Sequence, residues 1–254
     1  MRECIRKGQF TGPTGGLAPG YVQTNMVILP KEQAYDFLVF CQRNPKPCPL
    51  LEVTDPGDPE PKSLAPGADL RTDVPKYRVW RNGDLADEVT DIVDLWRADL
   101  VAFLLGCSFT FDTALVNAGI DVPHMRDGQG ANVPMYVTSI PTKPAGVFHG
   151  PMVVSMRAIP REQVVKAVQV TSRFPTMHGA PIHIGNPGAI GIRDVNKPDY
   201  GSVVDMKDED VPVFWACGVT PQEVCLASKP PFMISHAPGH MFITDVRDED
   251  MAVI

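Results

Sequence analysis

The sequence has no apolar run near the roughly 20 residues that cross a bilayer, and its opening MRECIRKGQF lacks the apolar centre of a secretory signal. These absences set a cytoplasmic expectation with no membrane partner. There is no CxxC among the six scattered cysteines, so they read as reduced thiols rather than a disulfide framework or a redox pair. Also missing are GxxxxGK[ST], a GxGxxG after a strand, HExxH and GxSxG. ATP-driven ligation, dinucleotide redox chemistry, zincin hydrolysis and the serine-hydrolase elbow therefore lose their usual carriers. Positive charge is in deficit: 23 Lys and Arg against 30 Asp and Glu leave a net charge of −7. That balance argues against a nucleic-acid or anionic-membrane surface, and any acidic ligand must be held by local groups.

What is present is an ordinary globular composition, 44% hydrophobic and 21% charged over 254 residues, enough for a substantial core. The 26 prolines sit mostly at loop edges and imply stiff connections. Solidly apolar runs followed by helical periods, such as YVQTNMVILP before Lys31 to Arg43, predict strand-helix pairs. Asp84 to Arg97 reads as an amphipathic helix. Residues 132–185 change texture: strands alternate around one helix, the pattern of a two-layer α+β module. The expected fold class is α/β, a mainly parallel three-layer sandwich formed by 1–131 and 186–254, with 132–185 inserted as the smaller α+β domain. No internal repeat is evident.

Most of the candidate chemistry lies in VPVFWACGVTPQEVCLASKPPFMISHAPGHMFITD, read as one βαβ unit. Cys217 falls in the turn between a strand end and a helix start, with Thr220 and Glu223 spaced as a capping box. Cys107-Ser108-Phe109-Thr110 after the apolar run Leu100 to Gly106 repeats that grammar. Helix starts gather backbone N–H donors, so Ser108, Thr110 and Thr220 are candidate anion cradles. Arg71 and Arg78 are the guanidinium candidates for a carboxylate. His236, His240 and His183 are candidate bases or acids, with His178 a candidate ligand contact. The competing reading of each is structural: a cysteine after a strand is often a small buried hydrophobe, and a loop histidine often only bonds backbone. If the strands before Cys107, Cys217 and His236 are parallel, all three reach one edge, and a single cleft between domains should hold Cys107, Ser108, Cys217, Thr220, His236 and one of His178 and His183.

Four functions remain open on these residues. A cofactor-independent lyase would use the histidines as acid and base. A racemase of an acidic amino acid would set Cys107 and Cys217 on opposite sides of the substrate carbon. A binding protein would use the anion cradles without turnover. A zinc or manganese site would draw on His236, His240, His178, His183 and Asp245. The expected partner is a small acidic metabolite, with no cofactor beyond that divalent-metal alternative; a homo-oligomer is left open.

The runs GLAPGYVQTNMVILP, FCQRNPKPCPLLEV, TDVPKYRVWRNG, FLLGCSFTFDTAL, NVPMYVTSI, GPMVVSMRAIP, QVTSRFPTMHGAPIHIG, VPVFWACGVTPQ and SHAPGHMFITD resemble the D-glutamate cyclase family across almost the whole chain. The resemblance implies a two-domain α/β fold and a hydro-lyase activity, the loss of water from D-glutamate to give 5-oxo-D-proline. It brings no agreed set of catalytic residues.

Overall fold

Tyr21–Pro30 (β1) is buried at eight consecutive positions, which only a central strand covered on both faces can be. The computed structural model describes residues 1–125 and 132–253. After the short helix α1 (Arg2–Arg6), β1 leads into α2 (Lys31–Arg43), then β2 (Leu50–Val53), β3 (Tyr77–Arg81), β4 (Asp84–Val89) and β5 (Leu100–Gly106). Helix α3 (Phe109–Asn117) is followed by β6 (Met135–Pro141), β7 (Pro151–Pro160), α4 (Val164–Ser172) and β8 (His183–Ile184). The chain closes with β9 (Asp210–Ala216), α5 (Thr220–Ser228), β10 (Phe232–His236) and β11 (Phe242–Arg247).

Two sheets form, ordered β2-β5-β1-β10-β3-β4 with β11 also on β1, and β6-β7-β9-β8. Every pairing in them is antiparallel. The mainly parallel sandwich is therefore corrected to mixed α and β on two antiparallel sheets. The expected βαβ unit is corrected too: β9 lies in the second sheet on β7, and β10 lies in the first on β1 and β3. Segment 132–185 supplies β6, β7 and β8 of the second sheet, and β9 arrives from beyond it. A strand buried on both faces looks the same whether its neighbours run parallel or antiparallel, so solid apolarity misled the direction.

Local readings fared better where periodicity was long. β1, α2, β5 and α3 fall where expected. Asp84 to Arg97 is not a helix; its first half is the exposed strand β4, hairpinned to β3 through Asn82 and Gly83, both at positive φ. Asn-Gly between two strands is the strongest short hairpin signal, and it outweighs the weak helical period after it. The capping box is also absent: Thr220 is already helical and its hydroxyl bonds the Cys217 carbonyl and the Val153 N–H.

The two sheets are built to one plan, which corrects the reading that no repeat exists. β1 and β5 pair from Thr24↔Gly106 to Pro30↔Leu100; β7 and β9 pair from Val154↔Ala216 to Pro160↔Asp210. Superposing these ladders matches ILPKEQ with AIPREQ and LGCSFT with WACGVT. β11 on β1 and β6 on β7 correspond likewise, matching MFIT with MYVT. Even the side-chain bonds repeat: Thr244 donates to the Val22 carbonyl and accepts from Val246 N–H, as Thr138 does with Met152 and Ile140. Asn25 is thus the counterpart of Ser155, Val27 of Arg157, Cys107 of Cys217, Ser108 of Gly218, and Met241 of Met135.

The helices cross over. Helix α3 leaves the first sheet and buries Phe111 and Leu115 against Ile159, Val213 and Trp215 of the second. Helix α5 leaves the second sheet and buries Val224 and Cys225 beside Val27, Trp80 and Met233 of the first. Each helix packs on both sheets, α3 also meeting Val22 of β1 and α5 also lying on β7, and the turns at Cys107 and Cys217 are where the chain passes from sheet to sheet. They meet in a small shared cluster with Val133, Met135 and Met241.

Candidate active site

That meeting point holds a small cavity lined by Asn25, Cys107, Ser108, His178, Cys217, Gly218 and His236, with the counterparts Met135 and Met241 also on its wall. Its volume is about 20 Å³, room for a water or so, since a water needs roughly 10–15 Å³. A small metabolite can occupy it only after the wall moves.

His236 is placed by a gap in the ladder. β10 leaves β1 after Val27↔Ser235 and β11 joins at Thr24↔Phe242, so Met26 between them has no strand partner on that side. His236 Nδ1 fills the gap, 3.1 Å from the Met26 N–H and 3.2 Å from its carbonyl. Its Nε2 is buried without a hydrogen-bond partner among the described residues. Burial lowers the His236 pKa to about 4, and the same cause lowers that of His178 to about 4. Both rings are neutral at pH 7. His178 donates its Nδ1 proton to the Lys46 carbonyl at 2.6 Å.

Both thiols are held protonated. Burial pushes Cys107 up to about 12 and Cys217 up to about 11. The two turns are finished differently. On one, the Asn25 amide donates to the Gly106 carbonyl at 2.6 Å and lies against Gly218, where a Cβ would stand 2.0 Å from Asn25 Nδ2. On the other, the counterparts Ser155 and Ser108 are bridged by the buried guanidinium of Arg157, at 2.6 and 2.9 Å. Arg157 is neutralised by Asp112, whose two oxygens accept its Nε and Nη2 protons at 3.0 and 2.7 Å, with His124 2.8 Å from the same carboxylate. Burial opposes ionisation of Asp112, but Arg157 and His124 outweigh it and hold its pKa low. With Arg157 donating to its oxygen, the Ser108 hydroxyl proton is free for a ligand. Arg157, Asp112 and Asn25 were missed by sequence reasoning; each sits mid-element, and the internal repeat pairs each with a different residue type, so no motif marks them.

The structure brings together Cys107, Ser108, Cys217, His178 and His236, and leaves the other candidates elsewhere. Thr220 is spent within its turn. Thr110 faces the opposite side of α3 and lines a different cavity. His240 and Arg78 line an outer basin of about 390 Å³ that shares Asn132 with the inner cavity. His240 Nδ1 donates to the Pro238 carbonyl; Arg78 bonds Glu88 and Gln222, and Gln222 in turn donates to the His236 carbonyl. His183 Nε2 bonds the Asn186 carbonyl, and Arg71 is clamped on Asp69. Asp245 pairs with Arg2. Among the described residues no group of three His, Cys, Asp or Glu side chains is placed to hold a metal ion. Nor is any helix among them long and apolar enough to cross a membrane.

A profile of D-glutamate cyclase matches residues 101–245, a stretch that begins at β5 and ends in β11 and so contains both cysteine turns. The chain belongs to the D-glutamate cyclase family. A provisionally named hydro-lyase of Thermoanaerobacter sp. (strain X514) is 64% identical over 251 residues, 99% of this chain and 94% of that one. The provisionally named hydro-lyase YcsI of Bacillus subtilis (strain 168) is 59% identical, over 100% of this chain and 98% of its own. A family relative from Geobacillus kaustophilus (strain HTA426), named in the same way, is 63% identical over 100% of this chain and 95% of its own. A nitrogen repressor-like protein, MJ0159 from Methanococcus jannaschii, aligns over 94% of this chain and 96% of its own at TM-score 0.41 and 11% identity, too distant to bear on fold or function.

Proposed function

We propose that this family member is a hydro-lyase acting on a small acidic metabolite in the inner cavity, with D-glutamate to 5-oxo-D-proline and water as the reaction to test first. The observation that carries this reading is the unpartnered, buried Nε2 of His236, aimed into a cavity shared with Ser108 and two protonated thiols. In the cyclisation the α-amine forms a bond to the γ-carboxyl carbon, one C–O bond breaks, and water leaves. The attacking amine must lose a proton, and a neutral imidazole at Nε2 takes it in the tautomer whose Nδ1–H bonds the Met26 carbonyl. The developing oxyanion needs donors that are already oriented, and the Ser108 hydroxyl, fixed by Arg157, supplies one. The leaving oxygen departs as water after taking two protons, one passed from the bound nitrogen and one from the Cys107 or Cys217 thiol, which regains its proton from the His236 imidazolium. Holding the bent substrate contributes most, since well-oriented intramolecular reactions gain roughly 7–11 kcal/mol.

The test is incubation of the protein with D-glutamate, L-glutamate and 5-oxoproline, followed by mass change and chiral chromatography. Interconversion of one enantiomer pair is expected, and no interconversion of any of them removes the cyclase reading. A second reading rests on a separate observation, the repeat that makes Cys107 and Cys217 counterparts in the lining of one cavity. It is a two-thiol racemase, in which one sulfur removes the α-proton and the other returns one. It requires a thiolate, and a thiol with a pKa near 11 is ionised at pH 7 only about once in ten thousand. The lyase reading needs the thiols protonated, as they are, and so ranks first. Deuterium from solvent appearing at the α-carbon of recovered substrate would reverse that order.

A further inference from the structure

A larger cavity, of about 570 Å³, lies on the far side of α3, between that helix, α4 and the turn Asp248–Met251 at the end of the chain. Two polar atoms in it are left over. The Thr110 hydroxyl oxygen belongs to a residue 1% exposed, and Asp248 Oδ1 to one 8% exposed; among the described residues neither makes a hydrogen bond of good geometry, although the Thr110 and Thr113 hydroxyls lie close enough to Asp248 to pull its pKa down. Such orphans are costly, and a native fold keeps them where a ligand or water completes them. Thr220, the counterpart of Thr110, spends its hydroxyl on its own turn, so the vacancy at Thr110 is not dictated by the fold plan.

The lining fits one chemistry. Two cations, Arg173 and Arg247, face two anions, Asp248 and Glu249, so the charges balance and a zwitterion is favoured over a simple anion or cation. Arg173 uses Nε on the Val253 carbonyl, and Arg247 lies over the Tyr21 ring at 4.6 Å with its Nε 3.9 Å from Glu249, so in both the Nη groups are left for a carboxylate. Between the charged groups the wall is apolar, formed by Ala114, Val170 and Phe174. The volume falls in the range of small-molecule sites, about 300–1,000 Å³. We infer that this cavity binds a small aliphatic amino acid, its ammonium on Asp248 and Thr110 and its carboxylate on Arg173 and Arg247. The site is separate from the inner cavity and does not depend on the reaction proposed there. Burial raises the Asp248 pKa to about 6, against the opposing pull of the nearby Thr110 and Thr113 hydroxyls and Arg247. Affinity should therefore fall as the pH drops through about 6, where the carboxylate is lost.

Calorimetric titration of the full chain with each enantiomer of valine, with 2-methylpropanoate and with 2-methylpropylamine tests this. One valine enantiomer should bind saturably at one per chain, with both half-ligands weaker by about tenfold or more. Asp248→Asn and Arg247→Met should each weaken valine by about tenfold or more, whereas Cys107→Ser in the inner cavity should not. Arg247 is exposed, so its variant keeps the test open if Asp248→Asn does not fold. The inference is overturned by a half-ligand binding as well as valine, by no saturation below about 10 mM, or by wild-type affinity in the Asp248 or Arg247 variant.

Discussion

Replacing Gly218 by alanine probes the contact that joins the two sheets at the inner cavity. A Cβ there would stand 2.0 Å from Asn25 Nδ2, 2.1 Å from its Cγ and 2.4 Å from its Oδ1, all below contact distance. Asn25 cannot simply swing away, because it is 3% exposed and tied to the Gly106 carbonyl. Overpacking of this kind costs about 1–3 kcal/mol. Loss of the Asn25 bond adds about 1 kcal/mol. Gly218→Ala should therefore destabilise by about 2–4 kcal/mol. The counterpart pair in the repeat is Ser108 with Ser155, which shows that a side chain fits in the turn when the facing residue is small. Asn25→Ser should accordingly rescue Gly218→Ala, with a coupling of about 1–3 kcal/mol in a double-mutant cycle. Urea unfolding followed by fluorescence and by circular dichroism measures all four proteins. If Gly218→Ala stays within about 0.5 kcal/mol of the parent, or if the two substitutions are merely additive, the packing argument and the equivalence of the turns both fail.

Three further outcomes follow from buried charge and buried sulfur. His178 and His236 have folded pKa values near 4 against an ordinary value of about 6.5, so the unfolded chain takes up protons first as pH falls. Stability should drop from pH 7 towards pH 4 by about 3 kcal/mol per ring at most; urea midpoints that stay flat between pH 7 and 5 would contradict this. Asp112→Asn leaves the Arg157 charge buried without its carboxylate and should cost about 3–5 kcal/mol. Because the folded pKa of Asp112 is lowered, its ionic contribution is present above the ordinary carboxylate range and lost as pH falls through the depressed value; adding Arg157→Met should recover part of the loss, and no recovery would count against the pairing. Cys4 is exposed and the other five cysteines are buried, so iodoacetamide at neutral pH should add one group to the native protein and six in urea, counted by mass spectrometry. Rapid native labelling at Cys107 or Cys217 would show that the cavity opens more readily than its enclosed form implies.

The chain's local grammar was readable because it is enforced locally. An apolar run followed by a proline and a helical period could only be a strand entering a helix, and β1 with α2 follows that rule. The positions of Cys107 and Cys217 at strand-to-helix turns, and membership of the family, were likewise present in the linear string. Strand partners were not, because a pairing joins residues far apart: Met26 meets Leu104 and Ser155 meets Trp215 through registers that no nearby residue encodes. The internal repeat is hidden in the linear string for a related reason. Its matched segments are short, and the first copy carries β3 and β4 between strands that the second connects by other means.

The same division holds for the site. Residue types and turns determined that thiols, a serine and imidazoles were available at strand ends. Only the tertiary structure decided that His236 fills a gap in the ladder at Met26 and faces the thiols, while His240, four residues on, turns to an outer basin. Only the crossing of α3 and α5 between sheets brought Cys107 and Cys217 together. Part of each helix's apolar face is buried on the other sheet, and burial of apolar surface takes effect only when the whole chain is assembled.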